Sequence, residues 1–163
     1  MKKVILDACC GSRMFWFDKT NPAVLFMDKR KLKTKLCDGR TLEISPDLQA
    51  DFMNMPFKDN TFHLVVFDPP HLLRAGKNSW LAKKYGKLDK NWMWQLQKGF
   101  DECMRVLKKN GVLVFKWNEQ QITVQQALMP IGRMPLFGHR RGKTIFLVFM
   151  KMENTNGNNT SRV

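Results

Sequence analysis

Nowhere in the 163 residues does an apolar run approach the ~20 residues that a bilayer-spanning helix needs, so no membrane segment is expected. The opening Met1-Lys2-Lys3 leads into a short strand-like run without the apolar core of a secretion signal. A soluble, cytoplasmic protein is the expectation. Cysteine is scarce, and the 4 present, Cys9, Cys10, Cys37 and Cys103, have neither zinc-ligand spacing nor the pattern of a disulfide framework. They read as reduced thiols, and no metal is expected. Acidic residues are few, 14 against 28 Lys and Arg, leaving a formal net charge of +14 that suits a polyanionic partner such as nucleic acid. Glycine is nearly missing from the first strand-end turn, where only Gly11 stands, and this excludes the G-x-G-x-x-G turn of dinucleotide-dependent oxidoreductases.

What is present is an alternation of strand-like and helical patterns. Val4-Ile5-Leu6, Val24-Leu25-Phe26-Met27 and Leu64-Val65-Val66-Phe67 each end at an acid, at Asp7, Asp28 and Asp68, and Val112-Leu113-Val114-Phe115 follows Asn110-Gly111. Continuous apolar runs bounded by turn residues suit strands buried on both faces of a parallel sheet, which predicts a doubly wound α/β fold. Between 88 and 109, Trp92, Leu96, Phe100, Cys103 and Leu107 recur at helical spacing, with Asp89 as the expected N-cap and Asn110-Gly111 as the stop. A shorter helix is expected from Asn118 or Glu119 to Met129, closed by Pro130. Met134-Pro135-Leu136-Phe137 and Thr144-Ile145-Phe146-Leu147-Val148-Phe149 read as a closing antiparallel pair joined by a basic turn from Gly138 to Lys143. After Asp28 a helix is due, but Asp38-Gly39 between two short apolar-alternating runs predicts a β-hairpin in its place. One domain over 1–153 is expected, with a disordered tail at 154–163 rich in Asn, Thr, Ser and Gly.

In open α/β sheets ligands bind at the carboxyl ends of strands, where a turn leading into a helix presents backbone N–H groups. The first such turn is Asp7-Ala8-Cys9-Cys10-Gly11-Ser12. It resembles the first motif of the class I S-adenosylmethionine-dependent methyltransferases, with Gly11 where the family often has two or three glycines. Asp28, followed by Lys29, matches the family's acid for the ribose hydroxyls. Residues 51–62 resemble its third motif, in which Asp51 would accept from the adenine amine with Phe52 or Met53 against the ring. The resemblance implies a Rossmann-like methyltransferase sheet and S-adenosyl-L-methionine as cofactor, held by Asp7, Ala8, Cys9, Cys10, Gly11, Asp28, Lys29, Asp51, Phe52 and Met53. Either Asp28 or Asp51 alone would serve as a strand-end cap; together they call for a ligand.

Asp68-Pro69-Pro70-His71 carries the sharpest resemblance, to the [Asp/Asn/Ser]-Pro-Pro-aromatic motif of amino-methyltransferases. There the first side chain and the next carbonyl accept hydrogen bonds from a target amine, and the Pro-Pro step fixes their directions. His71 fills the aromatic slot, which the family usually gives to Tyr, Phe or Trp, and is expected to stack on a flipped base. Beyond it, residues 72–91 carry Arg74, Lys77, Lys83, Lys84 and Lys87 with Trp80 and Tyr85, the composition of a single-strand nucleic-acid clamp. Trp117, Arg140 and Arg141 are further candidates for substrate contact. Asp at the motif's first position implies adenine N6 in DNA or RNA. A guanine-amine RNA methyltransferase, a protein-glutamine methyltransferase and an inactive nucleic-acid-binding subunit are the alternatives. With no target-recognition domain visible, a homodimer, a protein partner or a structured RNA would supply target choice.

Overall fold

The computed structural model describes residues 2–76 and 79–152. Lys77 and the expected tail lie outside them. The strands are β1 (Ile5–Asp7), β2 (Val24–Asp28), β3 (Leu32–Lys35), β4 (Thr41–Ile44), β5 (Leu48–Gln49) and β6 (Phe62–Phe67). After two helices, α1 (Trp80–Tyr85) and α2 (Trp92–Val106), come β7 (Leu107–Asn118), α3 (Val124–Ile131), β8 (Phe137–Arg141) and β9 (Thr144–Met150). Seven strands form one sheet in the order β5-β2-β1-β6-β7-β9-β8. β5, β2, β1, β6 and β7 run parallel, whereas β9 is antiparallel to both β7 and β8. This is the doubly wound, mostly parallel sheet with a terminal antiparallel pair that the apolar runs predict. No helix among the described residues is long and apolar enough to cross a membrane.

The core lies beneath α2 and α3. Leu96, Phe100 and Cys103 of α2 are buried with Phe115 and Trp117 of β7 and Phe149 of β9. Phe100 meets Phe149 edge-on at 4.9 Å, and Phe67, Phe115 and Trp117 form a stacked series. In β7 and β9 buried residues alternate with half-buried ones, as expected where one face of a sheet is covered by helices and the other is more open.

Local chemistry moves several expected boundaries. Asp89 does not cap α2; its carboxylate accepts from the Asn91 N–H and the Gln95 side chain, and the helix starts after Asn91. It ends at Val106, ahead of Asn110-Gly111, and Asn110, at φ 60°, instead lies within β7, where the register with β6 shifts. The second helix begins at Val124 because Thr123 and Gln126 form a reciprocal capping box. Pro130 sits inside that helix rather than closing it, and Gly132 in the left-handed region ends it. Arg140 and Arg141 belong to β8, so the turn before β9 is only Gly142-Lys143.

Two segments replace helices. The hairpin β3-β4 stands where Asp38-Gly39 predicts it, Gly39 taking φ 80° in a loop closed by a bond from the Leu36 N–H to the Arg40 carbonyl. The expected helix after the first strand-end turn is a correction: residues 8–23 form successive turns. Gly11 and Arg13 have positive φ, which a right-handed helix does not accommodate. The segment is tied down instead by the Arg13 guanidinium, which donates to the Lys19 and Ser45 carbonyls and to Asp47 and lies 4.0 Å over the Phe26 ring.

Candidate functional site

The strand order reverses between β1 and β6, and ligands of such sheets bind at that switch point. There the carboxyl ends of the strands open into a cleft of about 580 Å³, a volume within the range of small-molecule sites. Asp7 ends β1, Asp28 ends β2, Asp51 follows β5 and Asp68 follows β6. All four line the cleft, as do the other proposed cofactor residues, Ala8, Cys9, Cys10, Gly11, Lys29, Phe52 and Met53. Four acids at the ends of four strands are thus gathered by topology from positions as far apart in sequence as Asp7 and Asp68.

Each acid has its own environment. The buried Asp7 accepts from the Trp16 indole N–H at 2.7 Å and from the Cys9 N–H at 3.2 Å. Its carboxyl is pushed up to about 7 by burial, with the charges of Asp68 and Asp28 adding to the rise against those two hydrogen bonds. Asp28 accepts four N–H groups: Gly11 at 2.9 Å, the Arg30 backbone at 2.8 Å, and Arg30 Nε and Nη2 at 3.2 and 3.3 Å. Arg30 Nη1 continues to the Lys83 carbonyl of α1 at 3.0 Å. Asp51 is bonded by the Met53 N–H and paired with Lys29 Nζ at 2.8 Å. Asp68 is paired with Lys116 of β7; burial raises its carboxyl and the ammonium opposes that rise.

Behind Phe52 the helix α2 must come close. A Cβ on Gly99 would stand 2.5 Å from the Phe52 ring and 2.8 Å from Phe67, so glycine here lets the helix press the ring against the cleft floor. The loop carrying Phe52 is held from the other side by Arg105, which donates to the Met55 and Phe57 carbonyls, to Asp59 and to Glu102, while Glu102 accepts the Met55 N–H.

The motif Asp68-Pro69-Pro70-His71 divides. Asp68 and Pro70 face the cleft, and Pro69 is buried. His71 is buried too, 5.4 Å from Tyr85 and 6.4 Å edge-on to Trp117, and it is held neutral, its pKa lowered to about 4 by burial and the Lys116 charge. The expectation that His71 stacks on a base is corrected: it supports Tyr85, which itself lines the cleft.

Among the proposed substrate residues, Lys84, Tyr85, Lys87 and Arg141 line the cleft. Arg74, Trp80, Lys83 and Arg140 do not; Arg140 pairs with Glu119, and the Arg74 backbone is tied to Gln121. Trp117 is a core residue, its indole N–H donating to the Ile122 carbonyl, and this burial corrects its placement at the substrate mouth.

No family model matches the chain, and no curated protein sequence is significantly similar to it. Solved structures are. A Haemophilus influenzae protein, HI0767, named as a candidate methylase, overlays 93% of this chain and 88% of its own at a TM-score of 0.52 and 16% identity. The chain has a Rossmann-like methyltransferase fold. The [4+2]-cyclase SpnF overlays 83% of this chain and 52% of its own at a TM-score of 0.44 and 15% identity. Within this methyltransferase fold, sequence reasoning missed Met14, Phe15, Phe17, Arg30 and Phe146, which also line the cleft. The signal was there for the first three: Met14-Phe15-Trp16-Phe17 is an apolar, aromatic run inside a segment otherwise made of turn residues.

Proposed function

We propose that this protein is an S-adenosylmethionine-dependent methyltransferase acting on the exocyclic amine of a nucleic-acid base, adenine N6 in DNA or RNA. The observation that carries the reading is the placement of Asp68 and Pro70 in one cleft with the strand-end acids Asp7, Asp28 and Asp51 and with Lys84, Tyr85 and Lys87. Four acids, apolar walls at Phe52 and Met53 and a volume of about 580 Å³ fit a cationic nucleoside cofactor. When bound, that cofactor supplies an electrophilic methyl group on a sulfonium. Asp7 would offset its positive charge, Asp28 would take the ribose hydroxyls once Arg30 yields, and Asp51 would meet the adenine amine. Lys116 occupies Asp68 Oδ2 and leaves Oδ1 to accept an amine hydrogen, turning the nitrogen lone pair toward the methyl group. In the transfer the new N–C bond would form as the methyl group's bond to sulfur breaks, leaving a neutral thioether, and the proton shed by the nitrogen would go to Asp68, whose carboxyl is raised by burial. Adenine rests on Asp at the motif's first position, and the net charge of +14 supports a nucleic-acid substrate.

Incubation with labelled cofactor and separate DNA, RNA and protein pools, followed by mass spectrometry of the digests, tests the reading. Methylated adenine is expected. Label in the guanine amine, in protein glutamine or in none of the pools would overturn it.

Cofactor affinity should also depend on pH. The folded pKa of Asp7, about 7, lies above its ordinary 3.8, so the fold holds this proton more tightly than the unfolded chain does. The stability it contributes is full below pH 3.8 and is lost as pH rises toward 7. A cationic ligand prefers the carboxylate, so binding should release a proton below pH 7 and tighten as pH rises through that value. Calorimetry in buffers of different ionisation enthalpy reads the proton directly, and Asp7→Asn should remove the release.

A further inference from the structure

The segment between β1 and β2 presents side chains that the fold itself does not use. Phe17 is fully exposed, Met14 is 62% exposed and Phe15 36%, yet all three line the cleft. Large exposed apolar side chains gathered at one mouth mark an interaction site more often than a bare surface. The segment beneath them is firmly held. Trp16 bonds to Asp7 and packs edge-on to Phe26 at 5.7 Å, and Arg13 makes the bonds to Lys19, Ser45 and Asp47 described above. Phe15 reaches across to Phe146 of β9, with ring centres 6.0 Å apart. That contact places Phe15 toward the β7-β9 side of the cleft, which Lys116 and Arg141 also line. The cleft that holds Asp68 thus combines flat apolar rings with the cations Lys84, Lys87 and Arg141.

We propose that Phe17, with Met14 and Phe15, is one face of a slot for a single unstacked nucleobase, shared with Tyr85, the strand's phosphates lying on Lys84, Lys87 and Arg141. This rests on the nucleic-acid reading of the cleft and adds to it the residues that hold the base. A base has a π-face of any sequence to offer to such rings, and stacking on them is independent of phosphate contacts. Phe17 anchors nothing in the core, so its replacement leaves the fold intact.

The test compares binding of a short single-stranded oligoadenylate with an abasic strand of equal phosphate count, by fluorescence anisotropy over a range of salt. Phe17→Ala should weaken oligoadenylate binding about tenfold with an unchanged salt slope, Phe17→Trp should restore it, and abasic-strand binding and cofactor affinity should not move. Three results overturn the slot. Wild-type binding of oligoadenylate that survives Phe17→Ala unchanged removes Phe17 from the base. A fall in cofactor affinity instead assigns the ring to covering the cofactor, and loss of a concentration-dependent dimer in sedimentation assigns it to a second copy of the chain. A wild-type protein that binds neither strand defeats the nucleic-acid reading itself, a result separable from the other three.

Discussion

Asp68→Ala is expected to reduce methyl transfer by on the order of a thousandfold, the scale seen when a single group that meets the transition state is removed. The carboxylate follows β6, faces the cleft and has one oxygen left after Lys116 takes the other. Without it, nothing at this position holds the amine hydrogens, and the lone pair stays in the ring. Cofactor affinity should stay within a few-fold, because the ribose and adenine contacts are assigned to Asp28 and Asp51. Asp68→Asn keeps one acceptor oxygen and the shape of the site, and should fall between the two. Single-turnover rates beside calorimetric cofactor binding check this. An alanine variant that folds, binds cofactor and still methylates the native substrate at a comparable rate would remove Asp68 from the chemistry.

A substantial loss of stability is expected at Arg105. Its guanidinium spans two backbone carbonyls and two carboxylates, and Glu102, which accepts the Met55 N–H, is buried. Arg105→Ala leaves that carboxylate without its cation and the Phe57 carbonyl without a donor, while the Met55 carbonyl keeps the Phe57 N–H, and the loss should be about 2 kcal/mol for a pair that is buried on the Glu102 side and partly exposed on the other. Denaturant unfolding measures it. The loop from Met55 to Asp59 should loosen in the same variant, and with it the nearby Phe52, so cofactor affinity should fall together with stability. Unchanged affinity in a destabilised variant would show that the loop's anchor does not set the position of Phe52.

The sheet was legible because its signals are local. Three apolar runs that end at an acid and a fourth that follows Asn110-Gly111 mark β1, β2, β6 and β7, and the Asp38-Gly39 turn marks the hairpin without knowledge of anything distant. The acids of the cleft were legible for the same reason, since a strand's carboxyl end is visible in sequence and the topology of such sheets brings those ends together. What was not legible depended on partners far along the chain. Nothing near His71 announces that Tyr85 and Trp117 will enclose it, and nothing near Arg30 announces that its guanidinium will reach the Lys83 carbonyl. The absent helix after β1 depends on Arg13 finding Ser45 and Asp47 more than thirty residues away. The start of α3 is a different case: the Thr123 and Gln126 spacing states it in the sequence, and Pro130 drew attention to the wrong end.

Arg30 has a consequence for how affinities of this protein are to be compared. One guanidinium serves two clients, the carboxylate that ends β2 and the Lys83 carbonyl in α1. A ligand that takes the oxygens of Asp28 displaces a group that also steadies the basic helix. Conversely, anything that draws the helix and the Arg30 guanidinium away leaves Asp28 with only its two backbone N–H bonds and so opens it to a ligand. Such coupling is reciprocal by thermodynamic necessity: the factor by which a partner on α1 changes affinity at Asp28 is the factor by which a ligand at Asp28 changes affinity for that partner. A dissociation constant measured on the isolated chain is therefore one corner of a square, and the other three corners are set by what rests on α1.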